Sequence, residues 1–81
     1  MINDKEIVNL LKEGYDTAPR MARHVLSLPA EGSIRPLGYD IYNRYALMVK
    51  SIFRRLSVLA RFGIVRRIGM EDKAMVWGVA E

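Results

Sequence analysis

Between Lys50 and Arg67 the chain reads KSIFRRLSVLARFGIVRR, with six basic residues and no acidic one. Ile52, Leu56, Leu59 and then Gly63-Ile64-Val65 carry an apolar line through it, at spacings of four, three and four residues. Such spacing puts the apolar positions on one face of a helix and leaves the bases outside the core. Gly63 follows the last periodic turn, where a left-handed residue ends a helix at no steric cost. Ile64 and Val65 are β-branched and open an extended run. The stretch therefore predicts a basic amphipathic helix, a glycine stop and the first strand of a hairpin.

The rest of the chain must supply a partner for that apolar line. With 81 residues it is expected to form one domain, residues 1–81, near the lower end of what folds on a single core. Hydrophobic residues make up 51% of it, so a core needs no staples. Cysteine is absent, which excludes disulfides, a thiolate zinc site and a cysteine nucleophile. One histidine cannot build a histidine-based metal site, and no cofactor is expected. No apolar run approaches the roughly 18–20 residues that span a bilayer. The start, MINDKEIVNLLKEG, alternates charged and apolar residues and does not read as a signal peptide. The expectation is a soluble cytoplasmic protein with no membrane contact and no evident small-molecule ligand.

Charge is distributed unevenly. Residues 1–40 carry five bases against six acids, and residues 71–81 carry one base against three acids. Residues 41–70 carry Arg44, Lys50, Arg54, Arg55, Arg61, Arg66 and Arg67, with no acid. A single-sign block on one element suits a polyanion. The blander alternative is a solvated helix face, but no acid lies nearby in sequence to pair with it.

In chain order, Asn3 with Glu6 fits a capping box for a first helix over about residues 4–13, which ends at Gly14. Thr17 caps a second over about 18–28, with Pro19 in its first turn and Pro29 closing it. Met21, Ala22, Val25 and Leu26 supply its apolar side, and His24 reads as a helix-surface residue, neither ligand nor base. Leu28–Gly38 is loop-like, rich in proline and glycine. Ile34 and Leu37 are expected to tuck it against the core, and Ser33-Ile34 to add a short strand to the hairpin edge.

The third helix is expected over about 40–62, capped by Asp40. Tyr39, Tyr42 and Tyr45 open it at three-residue spacing. Tyrosines can stack on bases, but this row reads first as packing on the core or on a partner subunit. Lys50, Arg54, Ser57 and Arg61 fall at i, i+4, i+7 and i+11 and share one face. Two β-rich runs over about 64–79, separated by the polar turn Met70–Lys73, complete a hairpin with Trp77 as its largest anchor.

The order helix, helix, basic helix, glycine step and hairpin resembles a winged helix-turn-helix domain, an α+β fold. The residues that carry the likeness are Ser51–Leu56, Leu59, Gly63-Ile64-Val65 and Arg67, with Met75-Val76-Trp77 as the returning strand of the wing. They are similar to the corresponding stretch of ArsR- and MarR-type prokaryotic transcription regulators. The resemblance implies a homodimer on double-stranded DNA, with the third helix in the major groove. Lys50, Ser51 and Arg54 would then face base edges or phosphates, and Arg55 and Arg61 would reach the backbone; Arg44, from the same basic block, is a further candidate for DNA contact. Arg66 and Arg67 would lead into the wing. The connection between the second and third helices is longer than the tight turn of that family, and the wing tip carries Glu71 and Asp72 against Lys73 alone. Binding is therefore expected to be dominated by the third helix, with a structural wing or a tip turned to a protein.

No carboxylate pair, glycine-rich phosphate loop or nucleophile–base arrangement points to catalysis, and none is expected. The sequence supports a DNA-binding transcription regulator, a winged helix used for protein–protein contact in a transcription or replication assembly with its basic face meeting an acidic partner, or RNA binding through the same basic face.

Overall fold

A computed structural model describes residues 2–80, arranged as three helices followed by a two-stranded antiparallel hairpin. The elements are α1 (Asp4–Lys12), α2 (Ala18–Val25), α3 (Tyr39–Arg61), β1 (Val65–Glu71) and β2 (Ala74–Val79). A single turn of 3-10 helix, Arg35–Leu37, precedes α3. No helix among the described residues is long and apolar enough to cross a membrane.

α1 and α2 begin, and all three helices end, where local chemistry dictates. At α1 the Asn3 side chain accepts a hydrogen bond from the Glu6 N–H at 2.9 Å. At α2 the Thr17 hydroxyl accepts from the Arg20 N–H at 3.2 Å. Both bonds satisfy donors that a helix N-terminus otherwise leaves bare. All three helices close in the same way. The N–H of Tyr15, Leu28 and Ile64 reaches back five residues to the C=O of Leu10, Arg23 and Leu59, at 2.9, 2.7 and 3.0 Å. Such a closure needs a left-handed residue one position earlier. Gly14 and Gly63 take it, at φ +102° and +74°, and in α2 Ser27 does, at φ +55°.

Ser27 explains why α2 stops at Val25 and does not run to residue 28. The closure at Ser27 comes before Pro29 can act. Val25, expected on the apolar side, lies at the surface beyond the buried pair Met21 and Ala22. A β-carbon costs about 1–2 kcal/mol in the left-handed region, and glycine returns part of that to the unfolded chain. Ser27→Gly should therefore stabilise the domain by roughly 0.5–1 kcal/mol and raise its melting temperature by about 2–8 °C. Thermal melts by circular dichroism will show it, and an unchanged or lowered midpoint would refute the closure.

α3 starts at Tyr39 with Gly38 in the cap position, and no side chain bonds to its first turn. Asp40, the expected cap, instead lies within that first turn, where its charge still suits the helix dipole. Ile34 is buried at 5% exposure, whereas Leu37 stays 41% exposed. Ser33-Ile34 adds no strand: the sheet has two strands, and the residues after Ile34 coil into the 3-10 turn. A proline at residue 36 lacks the N–H that an edge strand would offer.

The hairpin turns more tightly than expected. Glu71 still pairs with Ala74, so Met70 and Glu71 belong to β1 and only Asp72-Lys73 forms the turn. Both have positive φ, +49° and +66°, as a twisted two-residue hairpin loop requires. The register shifts between Arg67 and Gly69, leaving Ile68 as an extra residue in β1. Simple alternation thus fails after Arg67. The Ile68 side chain lies over Gly78, where a β-carbon would meet its Cδ1 at 2.6 Å.

The core draws on every element. Ile7, Leu10 and Leu11 of α1, Met21 and Ala22 of α2, and Ile52, Leu56 and Leu59 of α3 meet Val65 and Trp77 of the hairpin. Ile64 remains 43% exposed, so the apolar line of α3 passes to Val65 alone. The α1–α2 link is tied to the sheet as well: the Trp77 N–H donates to the Asp16 C=O at 2.8 Å.

Candidate nucleic-acid interface

With Ile52, Leu56 and Leu59 buried, the positions opposite them on α3 must face solvent. Lys50, Arg54 and Arg61 occupy those positions and are exposed. Among the described residues none of the three forms an ion pair. Ser57 lies between them and spends its hydroxyl on the Phe53 C=O at 3.0 Å, so it offers the face little donor capacity.

The remaining predicted residues separate from that face. Arg44, Ser51 and Arg55 are spaced seven and four apart, on a flank about a third of a turn away. Arg55 makes a two-pronged contact with Asp4 of α1, Nε to Oδ1 at 2.9 Å and Nη2 to Oδ2 at 2.7 Å. The guanidinium holds the Asp4 carboxyl below its ordinary value of 3.8. Arg55 thus joins α1 to α3, and the acid absent from its own neighbourhood in sequence comes from the other end of the chain. Arg66 and Arg67 lie on opposite faces of β1. Arg67 shares a face with its cross-strand partner Trp77, its guanidinium 5.2 Å from the indole ring, and so covers the core. Arg66 is exposed on the other face.

The hairpin tip is tied to α2 by an ion pair. Arg20 of α2 donates to Glu71 at 2.5 Å and also pairs with Asp16. Glu71, followed by Asp16, favours the charged guanidinium and raises the Arg20 pKa. One guanidinium thus serves two carboxylates, so the cluster keeps a net negative charge, and at the turn itself Asp72 is opposed by Lys73.

Between α3, the start of α2 and the hairpin lies an open groove of about 570 Å³. Val49, Phe53 and Met75 contribute apolar wall, and Lys50, Arg54, Arg61 and Lys73 contribute charge. Lys73 was not among the predicted site residues. Its only signal was an Asp-Lys pair in a polar segment, and just the two-residue turn brings it beside α3. Phe53 also belongs here, 43% exposed and edge-to-face with Trp77 at 5.7 Å.

The tyrosine row is divided. Tyr45 packs on the core with Arg23 over its ring at 5.8 Å, Tyr42 carries Arg35 at 5.2 Å, and Tyr39 is exposed. His24 stacks on Tyr15 with ring centroids 4.4 Å apart and lies at the surface. Among the described residues no group of three acidic, histidine or cysteine side chains could hold a metal ion. Comparison with protein-family models, curated proteins and solved structures finds no match to this chain.

Proposed function

We propose that the chain is a winged helix-turn-helix DNA-binding domain of transcription regulation, similar to the ArsR and MarR type, which lays the basic face of α3 in the major groove. The observation that carries this reading is the charge on that face. Lys50, Arg54 and Arg61 project from the side of α3 away from the core without acidic partners among the described residues, while Arg20 and Arg55 elsewhere are ion-paired. Three unneutralised cations along one helix repel one another, and a row of phosphates relieves that repulsion. Arginine adds planar, two-pronged recognition of phosphate and guanine. The element order of three helices and a hairpin is compatible with the winged arrangement. A homodimer would place two such helices on a twofold site.

Fluorescence-anisotropy titration of a random-sequence duplex at several salt concentrations tests the proposal. With three to six phosphates neutralised, log K should fall against log[salt] with a slope of roughly −3 to −5. Absence of binding at low salt would sink it.

A specific observation supports a second reading, a winged helix used for protein contact. Leu47 within α3 and Phe62 at its C-terminal cap are 68% and 76% exposed. Large exposed apolar side chains are commoner at contact surfaces than on a free helix. The same titration separates the two readings, because an apolar contact needs no phosphates.

A further inference from the structure

The groove beside α3 has a feature that duplex recognition does not use. Phosphate contact needs cations, and the outer face of α3 provides them. The groove adds an aromatic ring, Phe53, set in a wall between α3 and β2 with its ring at 75° to that of Trp77. Trp77 is buried, so Phe53 alone offers π surface to a ligand. Lys50, Arg54 and Arg61 line the same groove from α3, and Lys73 lines it from the hairpin turn. Cations flanking an exposed aromatic ring suit single-stranded nucleic acid, in which backbone charge and base stacking are both available. A paired base presents its edge to a groove and keeps its faces stacked within the duplex, so it cannot lie on Phe53.

We infer that this groove takes an unpaired nucleotide, with the base stacked on Phe53 and the flanking phosphates held by Lys50, Arg54, Arg61 and Lys73. The inference rests on the nucleic-acid reading above and extends it from duplex to single strand. The volume, about 570 Å³, falls within the range of small-ligand sites. The Arg20–Glu71 contact supports the arrangement by tying the β1 end of the turn to α2, which keeps Lys73 beside the groove. An acidic peptide would satisfy the cations equally well, but it leaves the aromatic ring unused.

The test compares three labelled probes by anisotropy: a ten-residue oligothymidylate, an abasic strand of equal length, and the random-sequence duplex. The wild-type chain should bind the oligothymidylate about 5- to 100-fold more tightly than the abasic strand, the expected worth of one stacked base. Phe53→Leu keeps an apolar side chain at the site but removes the π face. It should bring oligothymidylate binding down to the abasic level and leave duplex affinity within about twofold, while Phe53→Tyr should retain the wild-type preference. Equal binding of the abasic strand and the oligothymidylate overturns the inference without recourse to any variant. So does a Phe53→Leu chain, folded by circular dichroism, that loses single strand and duplex equally. Duplex binding without oligothymidylate binding overturns it and leaves the duplex reading intact. Failure of all three probes removes the nucleic-acid reading itself.

Discussion

Trp77→Ala is expected to lower the melting temperature by roughly 15–30 °C, with most of the domain's stability lost. Trp77 is the largest of the fully buried side chains, at 1% exposure. Its ring meets Phe53 of α3 and lies beneath Arg67 of β1, and its N–H holds the α1–α2 link. Truncating so large a buried ring costs about 3–5 kcal/mol, through lost transfer free energy and the cavity left behind. A domain of this size has only about 4–12 kcal/mol in total. The backbone bond to Asp16 survives the substitution, so the loss measures the side chain.

Trp77→Phe should cost much less. Among the described residues the Trp77 indole N–H is buried without a hydrogen-bond partner. Phenylalanine removes that unmet donor along with part of the ring, and the two effects oppose each other. Its melting midpoint should fall within about 8 °C of the wild type. Circular-dichroism melts decide the matter, and a Trp77→Ala midpoint within 5 °C of the wild type would remove Trp77 from its central place in the core.

The second large effect concerns binding. Arg54→Ala combined with Arg61→Ala should reduce duplex affinity roughly 60-fold at 0.1 M salt and make the salt slope shallower by about two. Each phosphate contact releases close to one counterion, worth nearly a decade in affinity at that concentration. Both side chains are exposed and unpaired among the described residues, so the melting temperature should scarcely change. Arg55→Ala is the matched control. It removes the same charge from the same helix, but its guanidinium is engaged by Asp4. It should lower affinity less than either Arg54→Ala or Arg61→Ala does singly. Equal losses from all three positions would mean that net charge alone governs binding, and no loss from the double variant would end the α3 model.

The helices, the basic face and the hairpin were legible in the sequence because each rests on local chemistry. Caps at Asn3 and Thr17, glycine stops at Gly14 and Gly63, and the line Ile52, Leu56 and Leu59 depend on neighbours within a few residues. The misjudged features were those in which a weak local signal competes with another. Ser27 takes the left-handed position usually given to glycine, so α2 ended earlier than Pro29 suggested. Ile68 slips the register of β1 by one residue, a shift that alternation cannot reveal.

By itself the sequence determined which residues are cationic, which positions along α3 share a face, and that no acid lies nearby within residues 41–70. Those properties follow from composition and helical period. Only the tertiary structure decided which cations remain available. Asp4 reaches Arg55 across fifty-one positions, and Glu71 reaches Arg20 across the same number. Charge pairing depends on distance in space and is screened over about 8–10 Å, and chain separation does not predict that distance once the core has formed. The same folding brought Lys73 from the hairpin turn to the groove beside Lys50, Arg54 and Phe53. That groove exists because α3 and β2 share the Trp77 core, which no local stretch of the chain encodes.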